Sequence, residues 1–346
     1  MLVSDFDFEL PAGAVAQEAA PRGQSRLLVV DGAEEDRHRS IADLPRLLRR
    51  GDLLVINDTR VIPARLFARR DPESGGGEVE LLLVEKTGPR RWVVLARPGR
   101  KARPGTRLEL AADLHATVRE KHADGRHTIE LDGELEPRLD ELGHVPLPPY
   151  IARADRPEDR ERYQTVWARE PGAIAAPTAG LHFTVKLLDD LAAAGIERAA
   201  VTLHVGIGTF KPVTAELVHE HRMESERYEI PETTARAIAR AKAAGGRVVA
   251  VGTTVVRALE SAAVEGGEVR ASAGRTEIFI TPGHRFRVVD VLLTNFHLPR
   301  STLLMLVAAF AGRERILAAY REAIGHGYRF YSYGDAMLVE RSDLPG

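Results

Sequence analysis

Residues 174–211, which read IAAPTAGLHFTVKLLDDLAAAGIERAAVTLHVGIGTFK, contain two loops joined by one helix and one strand. The first loop contains His182 and leads into an amphipathic helix that Thr184 can cap and Gly195 can end. A strand rich in Ala, Val and Leu follows and ends at His204, where a second loop begins. This loop–helix–strand order is typical of an α/β fold.

Each loop combines one histidine with small residues and hydroxyl groups. These are Thr178, Gly180 and His182 in the first loop, and His204, Gly206, Gly208 and Thr209 in the second. Small residues let a ligand approach the backbone closely, and free N–H groups there can hold polar or anionic atoms. Either loop alone is typical of a tight turn, but the two together favour a ligand site.

A second polar cluster follows a buried strand at residues 53–56. It reads Asn57-Asp58-Thr59-Arg60, and ligands of α/β proteins usually lie at the carboxyl ends of strands. Two interpretations stay open: a ligand site, or a turn in which Arg60 pairs with Asp58.

Further helices and strands complete a predicted α/β domain with a mixed sheet. The pattern predicts helices at 44–50, 232–244, 254–264 and 313–324, a helix capped by Ser301, and strands at 26–31, 247–253, 277–280 and 287–296.

The character of the sequence changes between residues 67 and 143. Short strand-like runs at 78–85, 92–96, 107–110, 116–121 and 127–131 alternate with turn residues, and Asp124-Gly125 is a hairpin signal. This pattern predicts a small all-β, barrel-like domain at 67–150, inserted into a discontinuous α/β domain made of residues 1–66 and 151–346.

Composition excludes several kinds of chemistry. The 346 residues include no Cys, which excludes disulfides, thiolate nucleophiles, Cys-ligated zinc and iron–sulfur clusters. Gly206-Ile207-Gly208 lacks the third glycine of a dinucleotide-binding loop. No segment is typical of a signal peptide or a membrane span, so we expect a soluble, cytoplasmic protein.

Positive charge is local rather than general. The formal net charge is −2, yet the β insertion contains a basic cluster. Phosphate contact and a solvated surface are the two interpretations of this cluster, whose residues are Arg90, Arg91, Arg97, Arg100, Lys101 and Arg103.

Seven motifs together resemble the S-adenosylmethionine:tRNA ribosyltransferase-isomerase family, and the resemblance extends over nearly the full length. They are NDTRVIPARL (57–66), APTAGLHFT (176–184), TLHVG (202–206), GTF (208–210), VGTT (251–254), TNFHLP (294–299) and SYGDAML (332–338). Two positions depart from the family pattern. Glu224 stands where the family usually has a second His, and Ile207 stands where it more often has Ala.

The resemblance implies a reaction of the queuosine pathway. The ribosyl group of S-adenosylmethionine passes to 7-aminomethyl-7-deazaguanine in the wobble position of a tRNA anticodon, adenine and methionine leave, and epoxyqueuosine remains in the tRNA. A base must remove a proton beside the sulfonium, and an acid must protonate the departing adenine. The reaction requires no metal, and we expect a monomer.

Histidines and carboxylates in these motifs are the candidate acids and bases, and the sequence leaves their individual roles open. The catalytic candidates are His182, His204, His297, Asp58, Glu226 and Asp335. Candidate substrate contacts are Thr59, Arg60, Thr178, Gly180, Gly206, Gly208, Thr209, Thr253, Thr254, Arg257, Asn295 and Tyr333. The aromatic residues Tyr328, Phe330, Tyr331 and Tyr333 are candidates for base stacking or for the core.

Two other classes of function stay open on the sequence. One is a tRNA-binding module without catalysis, which the basic insertion fits but the two histidine loops do not. The other is an enzyme that cleaves S-adenosylmethionine while acting on a small molecule.

Overall fold

A nine-stranded mixed sheet forms the centre of the computed structural model, which describes residues 1–32, 37–72, 75–206, 208 and 213–342. In spatial order its strands are β15 (Ser272–Thr276), β13 (Glu226–Ile230), β12 (Glu197–Leu203), β3 (Leu53–Asn57), β14 (Val248–Val251), β16 (Val291–Asn295), β17 (Ala336–Glu340), β1 (Arg26–Val30) and β2 (Arg37–Ser40). The four neighbours β12, β3, β14 and β16 run parallel, so their carboxyl ends meet at one edge of the sheet.

Helices cover both faces of this sheet. The described helices are α1 (Leu44–Leu47), α2 (Leu139–Leu142), α3 (Asp159–Arg162), α4 (Val185–Ala193), α5 (Glu232–Ala243), α6 (Thr253–Ala262), α7 (Thr302–Ala311) and α8 (Arg313–Gly325), of which α1 and α4–α8 pack on this sheet. Alternate strand residues face opposite sides, so Leu53 and Val55 pack with α5–α8 while Leu54 and Ile56 pack with α1 and α4. This two-sided burial explains the continuous apolar runs in the strands.

A closed antiparallel barrel forms the second part of the molecule. Its strands, in spatial order, are β10 (Arg126–Leu131), β7 (Arg91–Arg97), β6 (Glu78–Gly88), β5 (Arg65–Arg70), β8 (Arg107–Ala111) and β9 (Leu114–Lys121). It has its own apolar core, which includes Leu81, Val94 and Ile129. The backbones of Arg65 and His144, where the chain enters and leaves the barrel, exchange hydrogen bonds of 2.8 and 3.2 Å.

The predicted fold class is confirmed: a mixed α/β fold contains an inserted barrel. The predicted caps are present as well, since Thr184 accepts a hydrogen bond from the Leu187 N–H at 3.0 Å and Ser301 accepts one from Leu304 at 3.2 Å. The domain boundaries at 67 and 150 stay a prediction; the barrel's first strand begins at Arg65.

Two strand predictions were wrong. The strand predicted at 277–280 lies earlier in the chain, as β15, because Thr276 turns the backbone by accepting a hydrogen bond from the Ile278 N–H at 3.1 Å. The strand predicted at 287–296 begins only at Val291, because the buried Glu260 carboxylate accepts the backbone N–H groups of residues 287–289.

A short two-stranded sheet lies beside the main one. It pairs β4 (Thr59–Val61) in parallel with β11 (Glu170–Ala173), and it places Thr59 and Gly172 next to the carboxyl edge. No helix in the described residues is long and apolar enough to cross a membrane. The predicted cytoplasmic location stays a prediction.

Candidate active site

A cleft of about 820 Å³ lies between the carboxyl edge of the sheet and the barrel. The sheet side contributes His204, Gly206 and Glu226, and the barrel contributes Trp92 and Arg126. The site is therefore built from both parts of the molecule, and among the predicted catalytic residues His204 and Glu226 face this cleft.

His204 follows β12 and is half-buried with a defined orientation. Its Nδ1 lies 2.8 Å from the Thr59 hydroxyl, which in turn lies 3.4 Å from the Glu170 carbonyl oxygen that it can donate to. When Thr59 donates to that carbonyl, it accepts the Nδ1 proton of His204, and Nε2 then carries the free lone pair. Burial, reinforced by the nearby charge of Arg227, lowers the pKa of His204 below 6.5. His204 is therefore neutral near pH 7, the form a general base needs.

Gly172 lets the imidazole of His204 lie directly against the β11 backbone. Its φ is 147°, and a Cβ at this position would lie 2.9 Å from the ring. We expect Gly172→Ala to displace His204 and lower kcat by about 10²-fold, because small displacements of a catalytic group are costly. Steady-state kinetics measures kcat, and circular dichroism verifies that the variant is folded. Gly105→Ala is the matched control, since it also has positive φ but open space around it; equal loss in both would contradict the claim.

Glu226 holds the loop after His204 in place. Its carboxylate accepts the Gly206 N–H at 2.9 Å and forms a buried ion pair with Arg257 from α6. The two side chains are only 3% and 5% exposed. Arg257 does not line the cleft; its guanidinium is paired with Glu226. The Gly206 N–H is engaged by this carboxylate rather than free for a ligand.

Glu224 connects the same segment to the barrel. It pairs with Arg126 at the start of β10, and a second pair joins Arg275 to Glu85 of β6 at 3.1 Å. A Cβ on Gly208 would lie 2.7 Å from the Glu224 side chain, so Gly208 is needed for packing here. The carboxylate that replaces the family's usual His thus contacts the barrel, across the rim of the cleft.

A smaller cavity of about 50 Å³ adjoins the cleft, with which it shares Tyr163 and Val205. It is lined by four predicted substrate contacts at the ends of β14 and β16 and in the first loop, namely Thr178, Thr253, Thr254 and Asn295, and by the predicted catalytic residue His297. The Asn295 Oδ1 is buried and has no hydrogen-bond partner in the described structure. A donor group of a ligand would satisfy it.

His182 and His297 are buried and uncharged. Burial lowers the pKa of His182 to about 4 and that of His297 to about 3. Both ring nitrogens of His182 are engaged, with the Ser25 hydroxyl at 2.7 Å and the Asn295 amide at 3.2 Å. His182 therefore orients Asn295 from outside both cavities, whereas His297 lines the smaller one.

Asp58 and Asp335 have structural partners that occupy their oxygens. Asp58 accepts hydrogen bonds from Arg169 at 2.8 Å and from the Thr202 hydroxyl at 2.7 Å. Asp335 accepts the backbone N–H groups of Arg26 and Arg329, each at 2.9 Å. In the described part of the chain neither carboxylate lines the cleft or the smaller cavity, and Arg60 does not pair with Asp58.

Most of the remaining predicted contacts lie in the core. Gly180 packs against Trp167, and Tyr333 packs edge-on against Tyr163 in the core, so neither lines a cavity. Tyr328 and Phe330 are core residues too, while Tyr331 lines the smaller cavity. Thr209 lies outside the described residues.

The predicted basic cluster is divided by strand β7. Arg90 and Arg91 lie at its start, whereas Arg97, Arg100, Lys101 and Arg103 lie at or beyond its end, so about 20 Å separates the two groups. Arg91 is paired with Glu130 at 3.2 Å. None of the six side chains lines the cleft in the described structure.

Other cleft residues had no sequence signal of function. Arg126, Tyr163 and Arg227 line the cleft but lie outside the loops and motifs from which the candidates came.

Comparisons with known proteins determine the family. The family model described as queuosine biosynthesis protein matches residues 3–339. The chain belongs to this family. A relative from Gloeobacter violaceus, named S-adenosylmethionine:tRNA ribosyltransferase-isomerase, is 56% identical over 100% of this chain and 96% of its own. One from Anaeromyxobacter sp. (strain Fw109-5), with the same name, is 56% identical over 99% of this chain and 100% of its own.

A solved structure of the family agrees with this assignment. The crystal structure of S-adenosylmethionine tRNA ribosyltransferase from Thermotoga maritima is 40% identical, with a TM-score of 0.56, and covers 97% of this chain and 100% of that chain.

Proposed function

We propose that this queuosine-family protein transfers and isomerises the ribosyl group of S-adenosylmethionine onto 7-aminomethyl-7-deazaguanine at the wobble position of tRNA. The products are epoxyqueuosine in the tRNA, adenine and methionine. The names of its full-length relatives support this reaction. The observation in the molecule that carries it is a neutral, oriented histidine, His204, facing an interdomain cleft at the carboxyl edge of the sheet.

His204 is proposed as the general base that removes the proton beside the sulfonium. It faces the large cleft, its lowered pKa keeps it neutral, and Thr59 orients its ring. Glu226 and Arg257 are proposed to position the loop that His204 begins, rather than to exchange protons. Asp58, Asp335 and His182 are proposed as supports of the site.

The sulfonium substrate is proposed to lie where the cleft meets the smaller cavity. Thr178, Thr253, Thr254 and Asn295 line that cavity and supply hydroxyl and amide groups for a polar ligand. The tRNA is proposed to cover the mouth of the cleft and to contact the inserted domain at residues 67–150. A monomer supplies every residue of this arrangement.

Adenine release is the direct test. Incubation with S-adenosylmethionine should release adenine when tRNA carrying the modified base is present, and not with tRNA that lacks it. Binding of tRNA without any adenine release would instead favour a non-catalytic tRNA-binding module. Adenine release that ignores tRNA would favour an enzyme acting on a small molecule.

The far end of β7 offers a test of tRNA docking on the barrel. We expect the double change Arg100→Ala and Lys101→Ala to weaken tRNA affinity and to flatten its salt dependence by roughly 1–2 in log–log slope, since each phosphate contact releases counterions. S-adenosylmethionine affinity, measured by calorimetry, should not change, because the cleft lies elsewhere. An unaltered salt slope would mean that this charge is only a solvated surface.

A further inference from the structure

Six cationic side chains line the interdomain cleft, and four of them are already neutralised or hydrogen-bonded. Lys86 pairs with Glu136, while the rim residues Arg126 and Arg275 pair with Glu224 and Glu85. Arg160 donates to the carbonyl oxygens of Asp140 at 2.8 Å and Gly143 at 2.7 Å. The other two are Arg60 and Arg227.

Arg60 and Arg227 differ from the other four in having exposed guanidinium groups without partners. Both residues are exposed, and neither has an acidic or hydrogen-bonded side-chain partner anywhere in the described chain. An arginine that lines a cleft and has no carboxylate partner is suited to bind an anion, since its planar N–H groups match phosphate and carboxylate oxygens.

The two arginines lie on either side of His204. Arg60 follows Thr59, whose hydroxyl contacts the His204 ring at 2.8 Å. Arg227 accepts the His204 backbone N–H through its carbonyl at 3.0 Å, and its charge contributes to the environment of the imidazole. Anions bound by this pair would therefore flank the group that performs the chemistry.

We propose that Arg60 and Arg227 bind backbone phosphates of the tRNA next to the wobble nucleotide, and so place its base against His204. This inference rests on the proposed function. A nucleotide inserted into a cleft brings a phosphate on each side of its ribose, which suits two separated cations better than one. Phosphate contacts position a nucleic acid without reading its sequence, so these arginines set register rather than base choice.

The competing anion is the methionine carboxylate of S-adenosylmethionine. This carboxylate is a single group and would need only one arginine. If it were the bound anion, loss of that arginine would weaken the affinity for S-adenosylmethionine and leave the affinity for tRNA unchanged. The two sources are thus separated by measuring the two ligands independently.

The test compares Arg60→Ala, Arg227→Ala and the double variant with Arg236→Ala. Arg236 is an exposed helix arginine paired with Glu232 at 2.8 Å, outside the cleft, so its removal changes net charge equally. Affinity for an anticodon stem-loop with guanine at the wobble position is measured at several salt concentrations. S-adenosylmethionine affinity is measured by calorimetry, and folding by circular dichroism and thermal melting.

We expect each single variant to lower the magnitude of the log–log salt slope by roughly 0.7–0.9, the double variant by about twice that, and Arg236→Ala by nearly nothing. The double variant should bind the stem-loop at least about tenfold more weakly, with S-adenosylmethionine affinity unchanged. An unchanged slope overturns the proposal, and so does weaker S-adenosylmethionine binding with normal RNA binding. Wild-type protein that binds the stem-loop but never releases adenine from the modified substrate would refute the proposed function while leaving the phosphate contacts measurable.

Discussion

Replacing His204 with alanine is expected to reduce turnover by about 10²-fold or more while the protein stays folded. The scale is that of lost general acid–base catalysis. His204 follows strand β12 and its ring contacts Thr59 at 2.8 Å, so its removal leaves a small gap at the edge of the cleft rather than in the main core. Adenine release at saturating substrates measures the effect, and thermal melting verifies the fold.

His221→Ala is the matched control for this variant. Burial lowers the pKa of His221 as it does that of His204, but His221 packs against Phe279 and does not line the cleft. Its replacement should leave turnover within about twofold. If His204→Ala releases adenine as fast as wild type, His204 is not the base.

The same assignment predicts a pH dependence. A general base works in its neutral form, and that form is lost as the pH falls through the pKa. Because burial lowers the pKa of His204, the acid limb of turnover should lie below pH 6.5 in the wild-type protein. The residual turnover of His204→Ala should not show this decrease at low pH. A decrease that persists in the variant would be due to the titration of another group.

Local signals in the sequence were sufficient to predict the loop–helix–strand unit of residues 174–211. Thr184 and Gly195 define the two ends of α4 through capping and a left-handed residue with φ of 82°, both of which depend only on neighbours in the chain. The later residues of β12, Val201 to Leu203, are buried, and the apolar run that includes them was also visible. This unit could therefore be predicted, along with the position of His204 at its end.

Long-range pairing explains what the sequence did not reveal. Strand β17 is missing from the predicted strands, because it becomes a strand by pairing with β1 and β16, which lie far away in the sequence. In the same way Glu260 determines where β16 begins, by accepting three backbone N–H groups across 27 to 29 residues. No local pattern around Arg287 contains that information.

In the candidate site, too, the sequence identifies candidate residues but not the long-range contacts that they make in the fold. His182 and His204 occur in similar loops and were ranked together, yet His182 is fully enclosed with both nitrogens engaged, whereas His204 faces the cleft. The sequence makes Asp335 a candidate acid, but it does not show that in the fold its carboxylate accepts two backbone N–H groups. Arg126 became a site residue only because the barrel folds back onto Glu224, 98 residues away.

Glu226→Gln is expected to damage the enzyme severely, whereas Glu224→Gln is expected to be nearly silent. Both glutamates pair with an arginine and lie two residues apart, so they form a matched pair. The Glu226–Arg257 pair is almost fully buried, and neutralising one partner leaves an uncompensated buried charge, which costs about 3–5 kcal/mol. The Glu224–Arg126 pair is 27% and 21% exposed, so solvent reaches it and its loss should cost less than the loss of the buried pair.

Loss of stability and loss of positioning must be separated for Glu226. A double variant, Glu226→Gln with Arg257→Met, removes both buried charges and should recover much of the lost melting temperature. It should not recover turnover, which we expect to stay about 10²-fold below wild type, because a neutral amide oxygen holds the Gly206 N–H less firmly than the carboxylate that accepts it at 2.9 Å. Recovery of turnover together with stability would reduce Glu226 to a purely structural residue. A larger loss for Glu224→Gln than for Glu226→Gln would refute the ranking itself, and would make the contact with the barrel the more important of the two.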